Sequence, residues 1–512
     1  MKICDITLSK SLVGAMLAMW TVVVLMVCNI DSYLYAQCGQ FDSAVFFMCG
    51  KAMMNRLVPY SDFTDSKGVL LWFIYGLGYL WDHYSYVGVF WLASLNVWGT
   101  LLIAYRTARL WFNEKTALLA SMLLIIPLTY WNFYTETKAE HFCWPAIAWG
   151  IYVLMRGETH LTIHFKHGLW LGVGLVACLM LKWSVALMML SLVFSVGWMA
   201  WRGKTLSQYV NGFVCGVFLS FAPFAIAFTC WGNWADMWQE YFVNTLASVS
   251  VPMSETLKVY SQEWGAMFTT RRFLYLLYTL PILALWNKKE RFASALPALC
   301  GLFFIALSIR HDEFGHYISI AGPFAILAIV VVLQYLQKIK GLRLRYIVLV
   351  GLLATLYVMW GSIRYTDSFC TKAGEKFDKY MAVSAAMSQV PQPKVIVVGQ
   401  ERGVCMATSL PGTRYWITQL GRTEQMWQEQ TSAIDQREAD FVIMFGADSD
   451  DIHQRFIKAG YHFFDDFYGG KVYTFHSGIH PIAPKTLTAW DIITKRNYEK
   501  VYCRQIGLLD KP

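Results

Sequence analysis

The sequence predicts an all-α polytopic membrane domain of about eleven transmembrane helices over residues 1–363, followed by a small extracytoplasmic α/β domain over 364–512. Three observations predict it. Of 512 residues, 56% are hydrophobic, only 15% are charged and 22 are Trp, a composition whose surface water could not solvate. Apolar runs of about twenty residues recur up to residue 363, each matched to the thickness of a bilayer core. Beyond it the composition turns polar, and short alternating elements replace the long runs.

The first run, 11–30, follows MKICDITLSK and lacks a small-residue cleavage site, so it reads as a retained helix rather than a removed signal. Further spans are expected near 86–105, 117–134, 141–155, 168–181, 184–201, 210–230, 272–286, 292–309, 317–337 and 346–363. The run VLLWFIYGLGYLW at 69–81 is left out of this set. Thirteen residues in a helix reach only about 20 Å, short of a hydrocarbon core of about 30 Å, so the segment lies along the interface or re-enters. Loop charge agrees with the omission. It places Lys2, Lys10, Arg106, Arg109, Arg202, Lys204, Lys338 and Arg345 on one side, which the positive-inside rule makes cytoplasmic; counting 69–81 as a crossing would export all of these except the first two. The opposite face then carries 31–85, 135–140, 231–271, 310–316 and everything after 364. In that last stretch KVIVVG (394–399), TRYWI (413–417), ADFVIMF (439–445) and KVYTFH (471–476) read as strands.

Several function classes are excluded. The net charge of +9 sits in short clusters between apolar segments and forms no single basic stripe, so nucleic acid is not an expected partner. Twelve cysteines are scattered without a CxxC pair, which fits neither a disulfide framework nor a zinc site. No P-loop, Gly-x-Ser-x-Gly elbow, HExxH or internal repeat occurs.

The charges that remain lie in the loops of the outer face. Asp42, in QCGQFDSAVFF, reads either as a partly desolvated base or as an interfacial residue or helix cap. Glu136 and Glu140, in YTETKAEHFCW, would share a face of a helix, as a general base or an oxygen-ligand metal site requires, and a solvated loop gives the same letters. HDEFGHY at 311–317, preceded by Arg310, packs cations and acids where a lipid phosphate could be held, or forms a polar turn. Lys182, in CLMLKWSVAL, reads as a cation snorkelling to the interface. WGNWADMWQEYF at 231–242 reads first as an interfacial aromatic belt and second as a sugar or lipid platform.

In their order these features resemble membrane glycosyltransferases of the GT-C superfamily, in particular the protein O-mannosyltransferase and aminoarabinose transferase group. Members commonly read PYxDFxDxKxPL where this chain reads PYSDFTDSKGVLL, and AYRTARLWF and HYISIAGPFAIL continue the likeness over most of residues 1–340. Gly68-Val69 departs from the frequent Pro-Pro or Gly-Pro, and Glu stands in the second loop where Asp is common. The resemblance implies glycosyl transfer from a polyprenyl-phosphate-sugar donor to a lipid, glycan or protein hydroxyl. It further implies a bacterial inner membrane protein with a cytoplasmic N-terminus and a periplasmic C-terminal domain. It casts Asp42 as the base of an inverting displacement, and Lys67 as the cation that neutralises the departing lipid phosphate, with Asp65 holding it. Glu140 and Glu136 would orient the acceptor or bind a divalent metal ion, the one cofactor in view. Tyr60, Arg310, His316 and Tyr317 would line the lipid-phosphate pocket. A transporter or flippase for lipid-linked sugars is the rival, although transporters place ionisable groups near mid-membrane at broken helices. A membrane receptor with a partner-binding tail is a third reading.

Overall fold

The computed structural model describes residues 9–35, 41–83, 85–129, 136–159, 162–246, 297, 299–300, 319–339, 344–365, 375–399, 409–417, 423–445, 450–467 and 470–483. Along the chain these form α1 (Lys10–Cys28), α2 (Phe41–Met54), α3 (Val69–Trp81), α4 (Val87–Ala108), α5 (Glu114–Thr129), α6 (Ala139–Phe142), α7 (Trp144–Glu158), α8 (Phe165–Leu181), α9 (Trp183–Arg202), α10 (Leu206–Trp231) and α11 (Trp234–Met237). A π-helical turn, Trp238–Asn244, continues α11, and α12 (Ala325–Gln337) and α13 (Leu344–Tyr365) follow. The polar region adds α14 (Glu375–Met387), β1 (Lys394–Val398), β2 (Leu410–Pro411), α15 (Glu424–Asp435), β3 (Phe441–Phe445), α16 (Asp450–Lys458), β4 (His462–Phe467) and β5 (Gly470–Thr474).

Among the described residues six helical segments are long and apolar enough to cross a membrane: Lys10–Cys28, Val87–Ala108, Trp183–Arg202, Leu206–Trp231, Ser319–Gln337 and Tyr346–Arg364. The spans expected at 117–134, 141–155 and 168–181 are helices of 16, 15 and 17 residues. The second begins three residues late, at Trp144, because Pro145 has no N–H to give and is preorganised for a first helical turn. The spans expected at 272–286 and, for nearly all its length, 292–309 lie outside the described residues, so these residues do not supply the expected eleven. The short run 69–81 is a helix with the expected bounds, and Phe73, Leu77, Leu80 and Trp81 form an exposed apolar stripe along it.

The chain divides into two compact units, one drawn from 1–28, 93–227 and 251–365, the other from 29–92, 228–250 and 366–512. In the first, α8 and α10 approach closely through small residues. A Cβ at Gly172 would lie 2.3 Å from the Phe213 carbonyl, and one at Gly216 would lie 2.1 Å from that of Leu169. Glycines four apart on both helices let the backbones meet, which is how helices associate where lipid removes the hydrophobic drive between them.

The second unit contains a five-stranded mixed sheet of order β2-β1-β3-β5-β4. β1 is parallel to β2 and β3, while β5 runs antiparallel to β3 and β4. KVIVV and FVIMF are nearly continuous apolar runs because the inner strands are covered on both faces. Ile396, Val398, Ile434, Val442, Met444 and Phe456 form part of a core that α15 and α16 close. The expected strand TRYWI is displaced: the β2 strand is Leu410–Pro411, on an edge where Pro is tolerated, and 413–417 turns away with one bridge from Ile417 to Val397. The edge strand β4, HFFDDF, was not expected.

The same unit holds α2 against α3. A Cβ at Gly50 would stand 2.5 Å from the backbone nitrogen of Gly76 and 2.8 Å from the Trp72 carbonyl. Both obstacles are main chain, so relief requires the helices to part. Gly50→Ala is therefore expected to destabilise the protein by about 1–3 kcal/mol, read as a lowered melting temperature in detergent.

Candidate functional site

Of the residues singled out from the sequence, the second unit holds Asp42 on α2 and Tyr60, Asp65 and Lys67 in the loop before α3. Asp42 is half-buried in the first turn of α2, where the peptide dipoles favour an anion. One turn further, the ring of Phe46 lies under the Lys67 ammonium, with Nζ 5.5 Å from the ring centroid.

The loop is wound tightly. Tyr60 takes a left-handed backbone conformation with φ of 65°, unusual for a residue with a side chain, and its N–H donates to the Phe63 carbonyl at 2.8 Å. Asp62 closes the preceding turn, its carboxylate accepting the Val58 N–H at 2.6 Å. The Tyr60 ring is buried, tilted against Trp72 at 4.8 Å and Tyr241 at 6.1 Å between centroids. Burial, and after it Tyr241 and Asp65, pushes the Tyr60 phenol well above its ordinary pKa. It stays protonated and donates to the Lys67 carbonyl at 3.1 Å.

Asp65 does not grip Lys67 directly. The Lys67 Nζ donates to Ser66 Oγ at 2.9 Å, and Ser66 Oγ donates to Asp65 Oδ1 at 3.4 Å. Ser66 was not singled out from the sequence. Among the described residues no ion pair joins Lys67 to an acid, and Asp65 Oδ2 is buried without a hydrogen-bond partner.

The loop is held from outside by residues that sequence reasoning missed. Asn233 Nδ2 donates to the Pro59 carbonyl at 2.6 Å, and Ser61 Oγ donates to Asp236 at 2.9 Å. The Thr64 N–H donates to the Arg414 carbonyl at 3.0 Å, and Arg414 Nε donates to the Ser61 carbonyl at 3.2 Å. The Tyr415 hydroxyl donates to Glu240 at 2.5 Å. Burial, then that hydrogen bond, raises the Tyr415 pKa. Asp236 and Glu240 are four apart in WADMWQEYF, a spacing that could have flagged them, but the aromatic letters dominate that segment. Trp234 and Trp238 are indeed exposed there, while Glu240 and Tyr241 are buried.

Glu136 and Glu140 belong to the other unit. Glu136 pairs with Lys138 at 3.0 Å. Glu140, in α6, pairs with Lys182, which sits in extended conformation at the break between α8 and α9. Lys182 is 6% exposed, so it does not snorkel but is a buried counter-ion. With an ammonium on each carboxylate the pair does not present a metal-ligand set, and among the described residues no three His, Cys, Asp or Glu gather as one. Lys182→Met removes the ammonium paired with a buried carboxylate and should cost about 3–5 kcal/mol of stability. The double variant with Glu140→Gln should recover most of it in the same melting assay, as a solvated lysine would not require. Arg310, His316 and Tyr317 lie outside the described residues.

Compared by sequence, the chain matches no family model and no curated protein. Compared by structure, it shares the fold of GT-C membrane glycosyltransferases. ArnT from Cupriavidus metallidurans, an aminoarabinose transferase, bound to undecaprenyl phosphate, superposes with a TM-score of 0.60 at 12% identity, over 92% of this chain and 100% of that one. Its apo state gives 0.58 at 11% identity, over 92% and 99%. The oligosaccharyltransferase AglB from Archaeoglobus fulgidus, in complex with an inhibitory peptide and a dolichol-phosphate, aligns more loosely, at 0.47 and 10% identity over 94% and 76%.

Proposed function

We propose that the chain is a bacterial inner-membrane glycosyltransferase that moves a sugar, hexose or pentose, from a polyprenyl-phosphate donor to a hydroxyl of a lipid, glycan or protein at the periplasmic face. The observation that carries this reading is the Lys67 ammonium. It is tethered by Ser66, has no carboxylate ion pair among the described residues, and lies over the helix that bears Asp42. A cation so placed has its charge available for an anionic oxygen, and a superposed protein of this fold binds undecaprenyl phosphate.

In the proposed reaction the acceptor oxygen attacks the anomeric carbon while its proton passes to Asp42. The bond from that carbon to the phosphate oxygen breaks, and the polyprenyl phosphate leaves with the electron pair beside Lys67. One displacement inverts the anomeric centre. The N-terminus is placed in the cytoplasm and 364–512 in the periplasm, from the distribution of Lys and Arg. Glu136 and Glu140 keep only the acceptor-orienting role implied by the resemblance, and Arg310, His316 and Tyr317 the donor-pocket role.

The test is transfer of radiolabelled sugar from polyprenyl-phosphate donors to candidate acceptors by the protein reconstituted in liposomes. Transfer with inverted product stereochemistry is expected. Movement of donor across the bilayer without transfer would instead identify a flippase.

A further inference from the structure

The cluster around Arg414 has no part in the proposed chemistry, yet it ends on the loop that carries Lys67. Residues 61 and 414 are far apart in sequence, and two hydrogen bonds join their segments with opposite polarity. Arg414 accepts the Thr64 N–H through its carbonyl and donates from Nε to the Ser61 carbonyl. The guanidinium is also within ion-pair reach of three acids, Asp236 at 3.5 Å, Glu240 at 3.8 Å and Glu429 at 3.8 Å. Asp236 itself accepts from Ser61, and Glu240 accepts from Tyr415. Burial raises the Glu429 pKa, with the nearby Arg414 opposing, as expected of an acid crowded by others around one cation.

We propose that Arg414 and Tyr415 are positioning residues for Lys67: the turn of the C-terminal region clasps the Ser61–Thr64 backbone and so fixes where the Lys67 ammonium stands. The connection is short. The clasped Ser61–Thr64 backbone contains Phe63, whose carbonyl accepts the Tyr60 N–H, and the Tyr60 hydroxyl holds the Lys67 carbonyl. Removing the guanidinium takes one donor from the Ser61 carbonyl and leaves Asp236, Glu240 and Glu429 without the cation they share, Glu240 being buried. The loop then keeps the Thr64 bond to the main chain of residue 414 and its own turn bonds, but loses the side-chain half of the clasp beside the left-handed Tyr60. The C-terminal region thereby takes a part in catalysis without touching substrate.

The inference rests on the reading of Lys67 as the phosphate-facing cation, so its test has one arm that uses no transferase activity. In the full-length protein in detergent, the rate at which an amine-specific reagent labels Lys67 is followed by mass spectrometry. Arg414→Ala is expected to raise that rate about tenfold or more, and Tyr415→Phe, which keeps the ring and loses one hydrogen bond to a carboxylate, about three- to tenfold. Labelling of surface lysines such as Lys204 should not change. In the transfer assay Arg414→Ala should lower kcat about tenfold with little change in donor KM, and should have no further effect when Lys67 is already Met. Unchanged Lys67 labelling in both variants overturns the proposal, whatever the transfer assay gives. So does an equal slowing by Arg414→Ala in the Lys67→Met background, which would mean it acts elsewhere. Should Arg414→Ala fail to fold, Tyr415→Phe decides by the same two readouts. A wild-type protein without transfer activity would refute the proposed function and leave the labelling arm standing.

Discussion

Lys67→Met is expected to lower kcat for glycosyl transfer about 10²–10³-fold while raising the donor KM much less. The reasoning starts from charge. A polyprenyl-phosphate sugar is a phosphodiester with one negative charge, and a second develops on the bridging oxygen as the bond to the anomeric carbon breaks. A fixed cation near that oxygen stabilises the transition state more than the bound donor. The site prepares the cation for this. Ser66 and the Lys67 carbonyl bond to Tyr60 restrain the residue, Phe46 contributes a face of its ring, and no carboxylate ion pair among the described residues cancels the charge in advance. Methionine keeps an unbranched side chain of nearly the same length and loses the ammonium's cation–π contact with Phe46, so stability should change by about 1 kcal/mol or less. Initial rates over a range of donor concentrations check the claim. A variant with normal kcat and a weakened KM would make Lys67 a group that binds the ground state alone, and an unchanged kcat/KM would remove it from the site.

The architecture was legible where one physical limit dominates. The helix Val69–Trp81 is too short to span a bilayer, and length arithmetic sets it apart without help from tertiary structure. β1 and β3 show as apolar runs because burial on both faces leaves no room for polar letters. β4 escapes because, at a sheet edge, HFFDDF carries acids that read as loop. The site divides along the same line. Asp42, Asp65 and Lys67 lie within a short stretch, so a motif can carry them. Ser61 meets Asp236 across 175 positions and Arg414 across 353, and no local pattern encodes such a meeting. Lys182 shows the limit in reverse: beside an apolar run a lysine looks like an interfacial anchor, and only its tertiary partner Glu140 reveals a buried pair.

Asp42→Asn is expected to reduce kcat about 10²–10⁴-fold, the range over which a positioned general base accelerates proton transfer. The substitution keeps shape and can still accept a hydrogen bond, so acceptor and donor binding should survive. What it removes is the ability to take a proton from the attacking hydroxyl. The residue occupies the first turn of α2 and is half-buried, and α2 is held close to α3 where Gly50 approaches Gly76. Two readouts separate this role from a structural one. The limb of the kcat/KM profile that reports an essential base should vanish in the variant. Acceptors with more acidic hydroxyls should be transferred with a smaller loss, because an oxygen that is already easily deprotonated depends less on a base. A uniform loss across acceptors, with the pH profile intact, would leave Asp42 as a helix-terminal anion and move the search for the base to another acid of the site.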